Sequence, residues 1–180
     1  MRIISGKFKG LNIQAPSRLP VRPTTDFAKT ALFNILNQKL DYADTSVLDL
    51  FAGTGGISFE FVSRGALSVL SVDMNFHCVQ FIREMVQKLK ITNQVVIKDD
   101  VFRYLRNSNA SYDLVFADPP YDLDKAKELP ALVLEKDLLN PGGIFIFEHQ
   151  AADDYSHIPD FQEKRKYGNV GFSFFQKAKL

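Results

Sequence analysis

Apolar and polar residues alternate along this chain in two different periods. Short apolar runs, typical of buried strands, occur at residues 47–51, 68–72, 95–97, 114–117 and 144–147. Residues 57–64 and 76–90 instead repeat apolar side chains at helical spacing. Strands that alternate with helices predict a parallel sheet covered on both faces, which is a doubly wound α/β domain.

Both ends of the chain predict additional β structure. Residues 161–167 and 170–175 are strand-like and flank Gly168-Asn169, which predicts a C-terminal antiparallel hairpin and a mostly parallel seven-stranded sheet. The first residues alternate around Gly6 and Gly10, which predicts a short N-terminal β-hairpin extension. Thr25 is a candidate cap for a first helix. Pro141-Gly142-Gly143 predicts a turn ahead of the last parallel strand.

Size and composition fit one globular unit. A length of 180 residues with 46% apolar content predicts a single domain over residues 1–180, with an arm at 1–24 and a core at 25–180. Cys78 is the only cysteine, which excludes an internal disulfide, and we expect its thiol to be buried and inert. The three histidines share no metal-ligand spacing, so we expect no metal. We find no signal segment and no apolar run of membrane-spanning length, and therefore expect a cytoplasmic protein without a membrane partner. A monomer is the default expectation.

The arm carries an uneven distribution of charge. Net charge is only +1, yet five basic residues precede the first acidic residue, Asp26: Arg2, Lys7, Lys9, Arg18 and Arg22. Such a patch favours contacts with phosphate groups over ordinary solvated charge. Phe8 is the best candidate in the arm for stacking on a base. For a second basic cluster, Lys164-Arg165-Lys166, phosphate binding and solvated charge are equally supported.

The chemically most specific segment is Asp118-Pro119-Pro120-Tyr121, directly behind an apolar run. The prolines fix the backbone and lack N–H donors, so backbone carbonyl groups remain available to accept hydrogen bonds. A carboxylate, a rigid carbonyl and an aromatic ring suit a planar amino group that must be held flat and lose a proton. The alternative is a turn that only ends a strand.

A glycine-rich turn provides a second candidate site. Asp49 lies in a strand that leads through Phe51 to Gly53 and Gly55 at the start of a helix, where a ligand can approach the backbone. Asp73 ends the next strand, 20 residues after Gly53, where a carboxylate can accept from both hydroxyls of a ribose. A nicotinamide enzyme would share these features, but Ser58 stands where its third glycine is needed. Asp49 near the turn favours a cationic sulfonium ligand over a diphosphate.

Asp100 and Val101 follow the third strand. The carboxylate can accept from the amino group of adenine, while the next backbone N–H reaches a ring nitrogen. Asp100 is equally well suited to cap a helix, and one side chain can do both.

These residues, in this order, resemble the class I S-adenosylmethionine-dependent amino-methyltransferases. Residues 1–6 (MRIISG), 22–26 (RPTTD) and 32–34 (LFN), with Tyr167-Gly168, resemble the bacterial small-subunit ribosomal RNA guanine-N2 methyltransferases of the RsmD type. The resemblance covers essentially the whole chain. Lys29 and Thr30 depart from the Arg and Glu that are common in that family.

The resemblance implies a chemistry for each site. S-adenosylmethionine would bind at Asp49, Phe51, Gly53, Gly55, Asp73, Asp100 and Val101, and a guanine amino group would be held by Asp118, Pro119, Pro120 and Tyr121. The partner would be small-subunit ribosomal RNA or a partly assembled subunit, bound by the basic arm. DNA adenine, protein glutamine and a non-catalytic role in ribosome assembly remain alternatives.

Overall fold

The computed structural model describes residues 1–16, 19 and 25–179. Its helices are α1 (Asp26–Leu36), α2 (Gly56–Ser63), α3 (Phe76–Lys88), α4 (Val101–Asn107) and α5 (Leu129–Glu135). Its strands are β1 (Ser46–Leu50), β2 (Ser68–Asp73), β3 (Gln94–Lys98), β4 (Tyr112–Ala117), β5 (Leu139–Gln150), β6 (Phe161–Tyr167) and β7 (Val170–Gln176). Short 3-10 helices lie at Tyr42–Asp44 and Asp124–Glu128.

The seven strands form one sheet in the order β3-β2-β1-β4-β5-β7-β6. The first five strands are parallel, and β7 and β6 add an antiparallel pair at one edge. This confirms the predicted doubly wound class with its C-terminal hairpin. Strand order reverses between β1 and β4, which is where such sheets bind their ligands.

Apolar side chains cover both faces of the sheet. One face packs against α4 and α5 around Leu105, Val133 and Phe145. The other packs against α1 and α2 around Phe33, Phe61 and Phe116. Because the parallel strands are buried on both sides, they are apolar runs rather than alternating patterns.

Capping residues set the starts of the helices. Thr25 accepts a hydrogen bond from the Ala28 N–H (3.2 Å), as predicted for the first helix. Asn75 accepts from the first turn of α3. Among the described residues no helix is both long and apolar enough to cross a bilayer.

Three local features differ from the sequence predictions. Pro141-Gly142-Gly143 is not a separate turn but part of β5, where the pairing with β4 shifts register between Tyr112 and Leu114. Helix α5 was not predicted, and α4 was predicted only through the possible role of Asp100 as a helix cap. The arm folds back on itself as expected, but with only one antiparallel bridge, Arg2–Asn12, among the described residues.

Candidate functional site

The glycine turn and Asp118 meet where strand order reverses. Leu50, the last residue of β1, lies in register with Ala117, the last residue of β4. The Asp118 N–H points to the Leu50 carbonyl oxygen at 3.5 Å. The two candidate sites, far apart along the sequence, are therefore neighbours at the carboxyl edge of the sheet.

The glycine turn has an unusual backbone. Gly53 and Gly55 have φ angles of 55° and 78°, and a side-chain carbon at Gly55 would lie 2.8 Å from the Phe59 ring. Phe51 also has a positive φ of 59°, which is rare for a bulky residue, and its ring packs edge-on against Phe102. Backbone of this kind persists where surrounding packing enforces it, and it concentrates at ligand sites.

Asp73 is tied to the glycine turn. The Gly53 N–H donates to Asp73 Oδ2 and the Asn75 N–H donates to Oδ1, both at 2.8 Å. The side chain is only 8% exposed, so it has one definite orientation at the tip of β2. Each carboxylate oxygen retains a second lone pair for a ligand hydroxyl.

Asp49 lies in β1, just ahead of the glycine turn. It is 1% exposed, and its Oδ2 accepts from the hydroxyl of Ser58, which also contacts the Ser71 hydroxyl at 2.7 Å. Burial raises the pKa of Asp49 to about 7, against the opposing effect of the Ser58 hydrogen bond. Asp49 thus lies below the turn, where the hydrogen bond that it accepts from Ser58 ties β1 to α2.

Asp100 caps α4, one of the two roles expected for it. Its side chain accepts from the Arg103 N–H (2.9 Å), and its carbonyl accepts from the Tyr104 N–H. Val101 is buried as the first residue of the helix. The N–H groups of the first turn of a helix have no acceptor within that helix, so the Val101 N–H can donate to a ligand.

The target side of the site is a rigid loop beside a cleft. Pro119 is buried, while Pro120 and Tyr121 are exposed, with 46% of Tyr121 accessible. The loop borders a cleft of about 310 Å³, counted out to its solvent mouth, that is also lined by Phe147 and Tyr155. Asp118 and Tyr121 each take part in an interaction within the protein.

Two residues at this edge of the sheet, Glu148 and Met74, were not among the predicted site residues. Phe147 on β5 is in register with Ala117, so the next residues on the two strands are Glu148 and Asp118. Glu148 is 3% exposed and also borders the cleft. Met74, directly after Asp73, is 65% exposed, an apolar side chain at the tip of β2 just ahead of α3. The sequence signal for Met74 was its position directly after the strand-ending Asp73.

The arm is held on α2 by the buried carboxylate of Glu60. Glu60 accepts from the backbone N–H groups of Ile4 (2.8 Å) and Ser5 (3.1 Å) and from Arg64 Nε (2.9 Å). Lys29, also buried, lies 3.8 Å away. The lysine that departs from the family pattern is therefore part of this anchor.

Gly6 allows the arm to lie directly on α2. A side-chain carbon at Gly6 would lie 1.8 Å from the Ser63 carbonyl oxygen, and the Lys7 N–H donates to that oxygen at 2.7 Å. Lys7 and Lys9 remain exposed, as does Arg2, which pairs with Asp26 at 3.6 Å. Arg18 and Arg22 lie outside the described residues. Phe8, the candidate for stacking, packs against the core and is partly exposed.

Two further titratable residues, Cys78 and His149, are buried in the protein interior. Cys78 is buried, which raises the pKa of its thiol to about 11, as expected for an inert thiol. His149 contacts the Gln150 carbonyl and the Ser173 hydroxyl, both at 2.8 Å, and burial lowers its pKa. Among the described residues no group of His, Cys, Asp and Glu is arranged to hold a metal ion.

Comparisons with known proteins agree on one family. The family described as conserved hypothetical protein 95 matches residues 1–176. Ribosomal RNA small subunit methyltransferase D of Buchnera aphidicola subsp. Baizongia pistaciae is 34% identical over 83% of this chain and 76% of that protein. The protein of the same name in Escherichia coli K12 is 26% identical over 98% of this chain and 90% of that protein.

Solved structures extend the likeness to three dimensions. The candidate methyltransferase yhhF from Escherichia coli matches with a TM-score of 0.88 at 26% identity, over 100% of this chain and 99% of that one. The match includes the arm as well as the sheet. The chain therefore belongs to the conserved hypothetical protein 95 family, which it shares with the proteins named ribosomal RNA small subunit methyltransferase D.

Proposed function

We propose that this protein transfers a methyl group from S-adenosylmethionine to the exocyclic N2 amino group of a guanine in small-subunit ribosomal RNA. The observation that carries the proposal is the position of Asp118 beside the glycine turn, where strand order reverses. The names of the relatives support ribosomal RNA as the substrate class.

The residues at the carboxyl ends of β1, β2 and β3 fit the cofactor. Asp73 has lone pairs left for two ribose hydroxyls, and Gly53 and Gly55 let the backbone approach closely. Asp100 and the Val101 N–H would contact the edge of adenine, and exposed Met74 would cover part of its face. S-adenosylmethionine supplies an electrophilic methyl group on a sulfonium centre.

Asp118 and its loop would hold the target nitrogen. The nitrogen lone pair of an aromatic amino group is delocalised into the ring, so it must be drawn towards tetrahedral geometry before it can react. Asp118 and the Pro119 carbonyl accept hydrogen bonds from the two N–H groups of the amino group. Tyr121 stacks on the base, a contact worth about 1–3 kcal/mol. The amino nitrogen would take the methyl group as the bond from that group to the sulfonium sulfur breaks, which leaves a neutral thioether, and Asp118 would accept the proton that the nitrogen loses and release it to solvent. Alignment rather than a strong base provides the rate increase.

Glu148 favours guanine over adenine at this position. Ala117 and Phe147 are in register on neighbouring parallel strands, which lie about 4.8 Å apart, and we propose that the carboxylates of the residues that follow them, Asp118 and Glu148, both face the target base. Guanine has an N1–H next to its amino group, a second donor for a second carboxylate, whereas adenine has an acceptor there. Glu148 already interacts within the protein, but a carboxylate has about four acceptor sites.

The rest of the proposal concerns the arm and the state of the protein. Exposed Arg2, Lys7 and Lys9 would bind RNA phosphates, which fix the register of a substrate without reading its sequence. Arg18 and Arg22 belong to the same proposal on the sequence alone. We further propose that residues 1–180 act as one domain, as a monomer, in the cytoplasm.

The deciding experiment compares Asp118→Ala with Asp122→Ala, an exposed carboxylate in the same loop. Calorimetry should give wild-type affinity for S-adenosylmethionine in both variants. Methylation of small-subunit RNA, read as N2-methylguanosine by nucleoside mass spectrometry, should be lost only in Asp118→Ala. Near wild-type methylation by Asp118→Ala would refute the assignment, and the absence of N2-methylguanosine with wild-type protein would refute the proposed target.

A further inference from the structure

Phe27 is an exposed aromatic side chain in the first turn of α1. Its side chain is 70% exposed, whereas the next residue, Ala28, begins the buried stripe of the helix. The ring stands edge-on to Tyr167 of β6, with ring centres 6.0 Å apart and planes at 79°. The ring is therefore steadied from one side and open to solvent.

The pairing register locates this aromatic pair relative to Asp118. Tyr167 pairs with Val170, and Val170 pairs with Gln150 at the carboxyl end of β5. The Ala151 N–H donates to the Asn169 carbonyl at 2.9 Å, which ties the hairpin tip to the same edge. The pair thus lies at the edge of the sheet that carries Asp118.

The pair lies on the target side of Asp118 and away from the cofactor side. β6 is three strands from β4, or about 14 Å at the usual strand spacing, whereas β2 and β3 lie in the opposite direction. A group that contacts Phe27 is therefore not the base that Asp118 holds. In an RNA substrate, such a group would belong to a nucleotide that flanks that base.

The surroundings of Phe27 suit a nucleic acid strand better than a protein. Arg2, 62% exposed, pairs with Asp26, which precedes Phe27, and exposed Lys166 precedes Tyr167. One aromatic ring among charged groups is too small for a protein interface, which needs on the order of 1,000 Å². A single unpaired base needs one ring face and nearby cations for its phosphate.

We infer that Phe27, braced by Tyr167, is a stacking platform for an unpaired base that flanks the methylated guanine. The inference rests on the proposed function, since it assumes an RNA substrate, and adds a second contact to that substrate. It also assigns a role to a side chain that sequence reasoning passed over in favour of Phe8. Stacking on Phe27 would hold the RNA next to the target after the target itself has left its stack.

The test compares Phe27→Ala with Phe27→Trp and with Leu67→Ala. Leu67 is a matched control because it is 60% exposed but directly precedes β2, at the opposite edge of the sheet. Binding of in vitro transcribed small-subunit RNA is measured over a salt series. Phe27→Ala should bind about tenfold more weakly, Phe27→Trp should restore binding, and Leu67→Ala should match wild type.

The salt series separates stacking from charge. Removal of the stacking ring should lower affinity by the same factor at each salt concentration, because every phosphate contact is kept. Wild-type affinity in Phe27→Ala, or an equal decrease in Leu67→Ala, would overturn the inference. So would a change of oligomeric mass in Phe27→Ala, which would make the ring an interface between copies. Failure of the wild-type protein to bind this RNA would contradict the proposed function, whereas equal binding by wild type and Phe27→Ala would contradict this inference alone.

Discussion

The Gly53 N–H donates to the Asp73 carboxylate at 2.8 Å, across 20 residues of chain. This contact joins the glycine turn after β1 to the tip of β2, so the two halves of the proposed cofactor site share one hydrogen bond. The other carboxylate oxygen accepts from the Asn75 N–H, which also orients the start of α3. Asp73 therefore shapes the site as well as offering acceptors to a ribose.

Replacing Asp73 should weaken the cofactor site more than the fold. Asp73→Ala should lower the affinity for S-adenosylmethionine by about 10- to 100-fold, since hydrogen bonds to charged groups contribute about 1.5–3 kcal/mol. Asp44→Ala, an exposed carboxylate at the other end of β1, should bind as wild type does. Calorimetry measures both, and equal affinities in the two variants would contradict the ribose assignment.

Asp49 should make stability depend on pH. Because burial raises its pKa to about 7, the folded protein holds this proton more tightly than the unfolded chain. The stabilising contribution is present below about pH 4 and is lost as pH rises to about 7. The free energy of unfolding of wild type relative to Asp49→Asn should fall across that range, by at most about 4 kcal/mol, and level off above it.

Urea unfolding at several pH values measures this slope, and Asp113→Asn serves as the matched control. Burial acts to raise the pKa of Asp113, but hydrogen bonds from Ser46 and Asn140 outweigh it and lower the pKa. Its contribution to stability should be lost as pH falls, with the opposite sign. A wild-type curve parallel to that of Asp49→Asn would show that the Asp49 carboxylate is not desolvated.

Gly6 should be essential for docking of the arm. Gly6→Ala adds a carbon 1.8 Å from the Ser63 carbonyl oxygen, in addition to the cost of a left-handed backbone, about 1–2 kcal/mol. Gly10→Ala is a close control, since Gly10 has a similar φ of 84° but no atom within 4 Å of the added carbon. Hydrogen exchange at Ile4 and Ser5 should increase sharply only in Gly6→Ala.

Lys7 and Lys9 should act through charge. Replacing both with Glu should weaken RNA binding and reduce the slope of log affinity against log salt by about 2, one for each phosphate that the lysines no longer neutralise. Lys88→Glu with Lys90→Glu, a pair at the end of α3, changes net charge equally and should leave the slope unchanged. An unaltered slope in the arm variant would mean that RNA docks elsewhere.

Glu148 should matter for catalysis on guanine and not for cofactor binding. Glu148→Gln replaces the carboxylate that would accept a hydrogen bond from the guanine N1–H. Because a hydrogen bond to a charged group contributes about 1.5–3 kcal/mol, kcat/KM for RNA should fall about tenfold or more. Affinity for S-adenosylmethionine should stay as in wild type. Gln150→Ala, exposed at the end of the same strand, is the control. An unchanged kcat/KM in Glu148→Gln would leave the preference for guanine unexplained.

The positions of the glycine turn and of the Asp118 loop could be predicted because each is encoded by a short continuous segment of sequence. An apolar run followed by glycines or by Asp-Pro-Pro-Tyr marks a strand tip, and parallel strands bring such tips to one edge. The burial of Asp49 could not be predicted, because it depends on how α2 sets Ser58 over β1. Helices α4 and α5 have seven residues each, less than two full periods of an apolar stripe.

Tertiary contacts overrode local signals at two further places. Pro141-Gly142-Gly143 has the composition of a turn, yet Gly142 and Gly143 bond to the segment after β7, which keeps this stretch in β5. Phe8 was the expected exposed ring of the arm because the anchoring of the arm on Glu60 and Ser63 is not visible in the sequence.

The anchoring of the arm also has a consequence for how the protein is made. Ile4 and Ser5 find their acceptor on Glu60, and Phe8 finds its own on Ser63, some 55 positions later. During synthesis residues 4–8 emerge before their acceptors and cannot dock until α2 has left the ribosome. The basic segment proposed to bind ribosomal RNA is thus translated before the helix that holds it in place, and it can dock only after that helix is available.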